Sequence, residues 1–229
     1  MTVQFDQLNN NLKSASSPVG VVSLPEERGF YRSFFKRGFD VVAIILAAPI
    51  VLLVVSLLAV VVARDGHAPF YWSCRVGKFG KNFRMLKLRT MVPDAESLLE
   101  QHLATNDQAR AEWESSQKLK NDPRITRLGS FLRKTSLDEL PQLWNVLVGD
   151  MSLVGPRPML PQQRALYPGL AYFALRPGLT GSWQVSDRNE SEFAKRADYD
   201  RDYNKSLSFF GDIRLLVKTV SVVLRGTGY

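Results

Sequence analysis

"VVAIILAAPIVLLVVSLLAVVVA", residues 41–63, carries no charged side chain over 23 residues. At a rise of about 1.5 Å per residue this is roughly 34 Å of helix, enough to match the hydrocarbon core of a bilayer. The run is too long, and starts too far into the chain, for the apolar region of a cleaved signal peptide. It is therefore expected to remain in the mature protein. Pro49 removes a helical hydrogen bond and crowds the preceding turn, so a kink or break is predicted near Ala48–Pro49, leaving arms of roughly 12 and 21 Å. Both flanks are basic, with Arg32, Lys36 and Arg37 before the run and Arg64, Arg75, Lys78, Lys81 and Arg84 after it. Basic flanks favour the cytoplasmic side. The symmetry suits a hairpin that dips into one leaflet and returns, while a simple span kinked at proline fits the same residues. Asp40, at the lip of the run, reads as an interfacial charge partnered by Lys36 or Arg37.

Outward from this segment, the 229-residue, 25.8 kDa chain is long enough for one good core. A formal charge of +8 and a pI near 9.7 call for an anionic partner: nucleic acid, an anionic membrane face or phosphorylated substrates. A single cysteine, Cys74, rules out an internal disulfide. His67 and His102, 35 positions apart, give neither zinc-ligand spacing nor a Cys-His or Ser-His catalytic pattern.

Residues 1–28, rich in Asn, Gln, Ser and Pro, read as a mobile tail. Residues 29–64 form the membrane segment and 65–229 the rest. "APFYWSCRVGKFGKNFRMLKLRTM", residues 68–91, alternates apolar with basic residues around Gly77 and Gly80 and predicts a β-hairpin. Residues 94–120 predict a solvated helical excursion with Asp94 as N-cap. Residues 126–134 form a short amphipathic segment. Ser136-x-x-Glu139 then has capping-box spacing, and Leu140, Leu143, Trp144 and Leu147 recur at helical intervals, predicting a helix over 138–148 closed by Gly149. Pro141 is tolerable in its first turn. Residues 208–226 predict an apolar helix, lying in the core or at the membrane interface.

The predicted 138–148 helix carries Asp138 and Glu139 at its positive end, where anions are stabilised. A plain capping role explains such a pair too. No G-x-G-x-x-G, Walker sequence or G-x-S-x-G elbow is present. Adjacent carboxylates among separated arginines suit phosphoryl transfer: carboxylates hold Mg²⁺, an aspartate can attack phosphorus, and guanidinium groups take phosphate oxygens in pairs.

"KRGFD" (36–40), "FRMLKLRTM" (83–91), "LRKTSLDELPQLWNVLVGDMSLVGPRP" (132–158) and "RPGLTGSWQVSDRN" (176–189), in this order, resemble the bacterial sugar transferase family, the monotopic phosphoglycosyl transferases, over about residues 30–229. The resemblance implies an α+β, mostly helical fold: a monotopic membrane protein with a re-entrant helix-break-helix and a small cytoplasmic domain bearing amphipathic interfacial helices. It further implies transfer of a hexose-1-phosphate, galactose or glucose, from a UDP-sugar to undecaprenyl phosphate with Mg²⁺ as cofactor, at the cytoplasmic face of the bacterial inner membrane. Asp138 is then the nucleophile and metal contact, with Glu139 its acidic partner. Arg133, Arg157, Arg188 and Lys87 match positions near the substrate phosphates, and Lys36, Arg37, Asp40 and Pro49 match the motif at the membrane lip. Membrane lipids are expected partners, nucleic acid is not, and a homodimer is allowed. Many members break the re-entrant helix at Ser-Pro, whereas this chain has Ala48-Pro49, without the hydroxyl that bonds freed carbonyls. The alternative of a different class is a non-catalytic, membrane-tethered basic domain that binds nucleic acid or a polymerisation partner.

Overall fold

The apolar run forms the body of one long helix, α1 (Lys36–Val62), reached through a π-helical turn over Tyr31–Phe35 in a computed structural model that describes residues 29–116, 119–186 and 193–224. The predicted tail, residues 1–28, lies outside the described residues. Pro49 sits inside α1, and helical backbone runs up to it and on from it over 27 residues, about 40 Å of helix, with no non-helical residue between the two predicted arms.

Both ends of α1 are fastened to the same globular body. At the start, Lys36 pairs with Asp212 at 2.6 Å, Arg37 donates to the carbonyls of Val146 and Leu147, and the buried Asp40 accepts the backbone N–H of Leu153 at 3.1 Å. Asp40 is thus a buried acceptor for a strand and not a surface charge; Lys36, bonded to Asp212, attracts it without a direct bond, and Arg37 is bonded to two carbonyls. At the far end, Arg89 donates to the carbonyl of Val62 at 3.0 Å and grips the carboxylate of Asp65 through two nitrogens, at 2.7 and 2.6 Å. Val62 packs with Leu88 and Leu132, and Ile44 with Met85, Val146 and Met151. Between these anchors Leu46, Ile50 and Leu53 stand in the open. By length and composition the helix can cross a membrane.

The predicted hairpin forms: β1 (Phe70–Val76) and β2 (Asn82–Leu88) pair antiparallel, with Tyr71 opposite Lys87 and Arg75 opposite Phe83. Alternation along β1 puts Tyr71, Ser73 and Arg75 on one face. The excursion after it is two helices, α2 (Ala95–Thr105) and α3 (Asp107–Ser116). Asp94 is the N-cap residue as predicted, but it adopts a left-handed conformation, φ 57°, and makes no side-chain cap bond. The side-chain cap in this stretch is Asn106, whose Oδ1 accepts from the N–H of Ala109 at 3.0 Å and which divides the segment.

The amphipathic segment becomes α4 (Arg127–Thr135), capped by Thr126 Oγ1 on the N–H of Gly129 at 2.8 Å. A Cβ at Gly129 would stand 2.0 Å from the carbonyl oxygen of Thr90, so glycine lets α4 close onto the end of the hairpin. Beyond a short α5 (Leu143–Val148), β3 (Ser152–Val154) pairs in parallel with β4 (Gly178–Thr180). Three-residue strands carry too little alternation to be visible in sequence. The chain ends in α6 (Arg196–Ser206) and α7 (Phe209–Leu224). Asp212 on α7 takes three donors, from Lys36, the Tyr31 hydroxyl at 2.8 Å and the Tyr203 hydroxyl at 2.7 Å, and so joins α6 and α7 to the start of α1.

Asp40→Ala strips the N–H of Leu153 of its acceptor in a buried place. The expected loss is about 1–3 kcal/mol, seen as a lower thermal midpoint of the detergent-solubilised protein, with Asp40→Asn losing less because the amide oxygen still accepts.

Candidate functional site

Ser136 ends α4 in a left-handed conformation, φ 57°, and the chain then winds through a 3₁₀ turn, Leu137–Gln142, before α5 begins. The predicted helix over 138–148 is therefore split, and Ser136 makes no side-chain cap. Pro141 is the cause. Its ring crowds the carbonyl of Leu137, four residues back, which disfavours an α-helical turn from 138, and the chain takes the tighter i→i+3 spacing. Gly149, at φ 95°, closes α5 as predicted.

The turn sets Asp138, 7% exposed, and Glu139 against β2. Lys87 Nζ lies 2.8 Å from Glu139 Oε1 and 3.8 Å from Asp138 Oδ2. Arg157, in the Gly-Pro-Arg-Pro loop, reaches Glu139 Oε1 at 4.0 Å. Arg133 donates through Nε to Thr90 Oγ1 at 2.9 Å. Asn145 locks the turn to the hairpin: its amide nitrogen donates to the carbonyl of Arg84 at 2.7 Å, and its oxygen accepts the N–H of Leu86 at 2.9 Å. A buried asparagine on the apolar side of a short helix was a readable sign of such a lock.

These residues line a cavity of about 880 Å³ that takes in Lys87, Arg133, Asp138, Glu139 and Arg157, five of the six predicted catalytic and phosphate-binding positions. The sixth, Arg188, lies outside the described residues. Lys36, Arg37, Asp40 and Pro49 are not in its wall; the first three fasten α1. Missed by sequence reasoning as site residues are Arg75, Thr90, Arg124 and Trp183, together with Glu96 and Glu100 of α2, so that α2 is a wall of the cavity and more than a solvated excursion. The alternation of β1 could have pointed to Arg75, whereas Trp183 and Glu100 arrive only through tertiary packing.

Burial pushes the Asp138 carboxyl above the ordinary carboxylate range, with Lys87 pulling it back and Glu139 adding to the rise. Burial likewise lowers the Arg133 guanidinium, against the pull of Asp138 and Asp122. The adjacent carboxylates fit a Mg²⁺ ion, which commonly takes one or two protein carboxylates and completes its shell with phosphate and water. Among the described residues no group of three carboxylate, histidine or cysteine ligands forms a cage.

Because the folded pKa of Asp138 is raised, the folded chain holds that proton more tightly than the unfolded one, and stability falls as pH rises from the ordinary carboxylate value through the raised one. Asp138→Asn is expected to raise the thermal midpoint at neutral pH, with the gain vanishing below a pH of about 3, where the aspartate is protonated in both states. Melting curves of both proteins across this range check the sign.

The sequence matches the bacterial sugar transferase family over residues 31–226. It is 49% identical over 197 residues to the UDP-galactose-lipid carrier transferase of Erwinia amylovora, spanning 85% of this chain and 41% of that protein. It is 48% identical to the undecaprenyl-phosphate galactose phosphotransferase of Salmonella typhimurium over the same shares of each chain. The exopolysaccharide production protein ExoY of Rhizobium meliloti is 43% identical, over 94% of this chain and 97% of its own. The chain thus spans less than half the length of the first two relatives and nearly all of the third. With a match across nearly all of the described residues and the acidic pair, Lys87 and the loop arginine gathered in one cavity, the chain belongs to the bacterial sugar transferase family.

Proposed function

We propose that this protein transfers a hexose-1-phosphate, galactose or glucose, from a UDP-sugar to undecaprenyl phosphate, releasing UMP and starting an exopolysaccharide chain. The observation that carries the reading is the buried Asp138 in a cavity whose other charged groups at the acidic pair, Lys87, Arg133 and Arg157, are cations. An isolated buried carboxylate is costly. Placed among phosphate-binding cations, it is a nucleophile kept close to the phosphorus it attacks.

In the first step an Asp138 oxygen bonds the β-phosphorus, the bond from that phosphorus to the bridging oxygen breaks, and UMP leaves with the electron pair. An oxygen of the lipid phosphate then attacks the same phosphorus. The Asp138–phosphorus bond breaks, and the carboxylate is regenerated. Lys87 neutralises Glu139 and holds the ionised form of Asp138 within reach. Arg133 and Arg157 bring guanidinium donors to the phosphoryl oxygens. Asp138 and Glu139 would hold Mg²⁺, which when bound offsets phosphate charge.

Two features of α1 support a monotopic topology. Its two ends are held by one body and its middle is apolar and exposed, so we place both ends on the cytoplasmic face of the inner membrane with the middle dipping into the near leaflet. Phe131, Trp144, Phe210 and Val217, exposed on α4, α5 and α7, suit the same lipid surface. An undecaprenyl phosphate then presents its headgroup at the level of the cavity.

UMP release from UDP-galactose or UDP-glucose, given Mg²⁺ and undecaprenyl phosphate, is expected from the wild type and to fall at least a thousandfold in Asp138→Asn. Silence with UDP-hexoses and UDP-N-acetylhexosamines alike would sink the reading. Lys87→Met removes the cation that lowers the Asp138 pKa, so besides losing rate it should move the acidic limb of the pH–rate profile to higher pH. A limb that stays put would separate Lys87 from the nucleophile. For topology, in a Cys74→Ser background, cysteines placed at residue 3 and at Ser97 should be labelled from the same side of the membrane; labelling from opposite sides would refute the hairpin.

A further inference from the structure

Three arginines in the cavity wall are held in two different ways. Arg89 spends its guanidinium on Asp65, with Nη1 at 2.7 Å and Nη2 at 2.6 Å, and Nη2 also reaches the carbonyl of Val62. Arg124 grips Asp122 through Nε at 2.8 Å and Nη2 at 2.6 Å. In both, a carboxylate holds the fork and offsets its charge. Arg133 differs: its Nε donates to the hydroxyl of Thr90 at 2.9 Å, and Asp138 and Asp122 attract it without a direct bond. A neutral acceptor orients a guanidinium and leaves its charge in place. Because the bond takes Nε, the two Nη groups, which can make a paired contact with phosphate oxygens, stay outside it.

Thr90 is brought to Arg133 by a close approach of backbone. It stands two residues past β2 and is buried. Its carbonyl accepts the N–H of Thr126, the residue that caps α4, at 3.1 Å. Gly129, in the first turn of that helix, carries no Cβ to strike the same carbonyl oxygen, so α4 closes onto Thr90. Arg133 follows Gly129 by four residues and therefore lies on the same side of α4. The end of the hairpin thus touches both halves of the acidic site, with Lys87 at the carboxylates and Thr90 at the arginine.

Satisfying a half-buried donor is the ordinary reason for such a bond. The place of this one gives it a second use. Thr90 and Arg133 both line the cavity, and Arg133 precedes Asp138 by five residues. An arginine left unheld would give up its rotamer freedom each time it closed on a substrate, whereas one already held does not. We propose that Thr90 is a positioning residue, whose hydroxyl fixes the rotation of the Arg133 guanidinium so that its paired Nη donors are set for the phosphoryl oxygens of the UDP-sugar without neutralising the charge that attracts them. This rests on the transferase reading above and deepens the part that Arg133 takes in it.

The test measures UMP release by the full chain in detergent, given a UDP-hexose, Mg²⁺ and undecaprenyl phosphate, for the wild type, Thr90→Val, Thr90→Ser, Arg133→Met and the double variant. Thr90→Val keeps the β-branched shape and removes the acceptor. Its kcat is expected to fall about tenfold, some 1.4 kcal/mol of barrier, while KM for the UDP-sugar moves by less than about threefold, since the arginine's grip tightens as charge builds in the transition state. Thr90→Ser returns the acceptor and should recover most of the loss. In the Arg133→Met background, Thr90→Val should cost less than about twofold, because no guanidinium is left to orient. An undiminished Thr90→Val, a Thr90→Ser that recovers nothing, or the same tenfold loss in both backgrounds would overturn the positioning role, the last being the mark of a merely structural threonine. A wild type silent with every UDP-sugar would overturn the transferase reading and this role together, whereas an active wild type with any of those three results overturns this role alone.

Discussion

Asp212 and Asp40, two buried carboxylates on opposite sides of the chain's first junction, fix the start of the apolar helix to the body that carries the site. A carboxylate inside a protein persists only when donors surround it. Asp212 has the Lys36 ammonium and the hydroxyls of Tyr31 and Tyr203; Asp40 has the N–H of Leu153. Because these donors come from the π-turn, α1, α6 and β3, satisfying two acids brings four elements to one place. Arg37 adds the carbonyls at the end of α5, the helix that follows the acidic turn. The orientation of Asp138 is thus mechanically continuous with the seating of the membrane helix.

A second fastening, at Arg89, gives the site its direction. Arg89 directly follows β2, which carries Lys87, and bonds the other end of α1. The strand that supplies the lysine at the acidic pair is thereby tied to the end of the long apolar helix. A charged cavity needs such rigidity, since displacing a reacting group by an ångström costs large factors in rate. The cavity wall carries Arg75, Lys87, Arg89, Arg133 and Arg157, with Lys87 at the acidic pair.

The acidic pair also shows how local chemistry and global packing share a decision. The capping-box spacing at Ser136 suggested a regular helix, and the proline three residues after Asp138 overrode it, because its ring crowds the carbonyl four residues back in an α-helical turn. The consequence is useful. A 3₁₀ turn leaves the two carboxylates on a bend pressed against β2, where Lys87 reaches both.

From the residues alone came the apolar helix, the hairpin at 70–88, the amphipathic 127–135 segment, the apolar C-terminal helix and the identity of the acidic pair, each because the cause is local: charge-free length, period-two alternation, helical spacing, a motif in order. Asn106 as the divider of the 95–116 helices was also local, and was missed because an Asn-Asp pair inside a polar stretch has no contrasting pattern around it. What only the tertiary structure decided is who meets whom. Both ends of α1 landing on one body, Asp40 serving a strand 113 positions away, the parallel pairing of β3 with β4, and Arg196 reaching Trp183 are long-range placements. No periodicity in a chain encodes the partner of a buried charge, because that partner is chosen by the need to satisfy it once the core has closed.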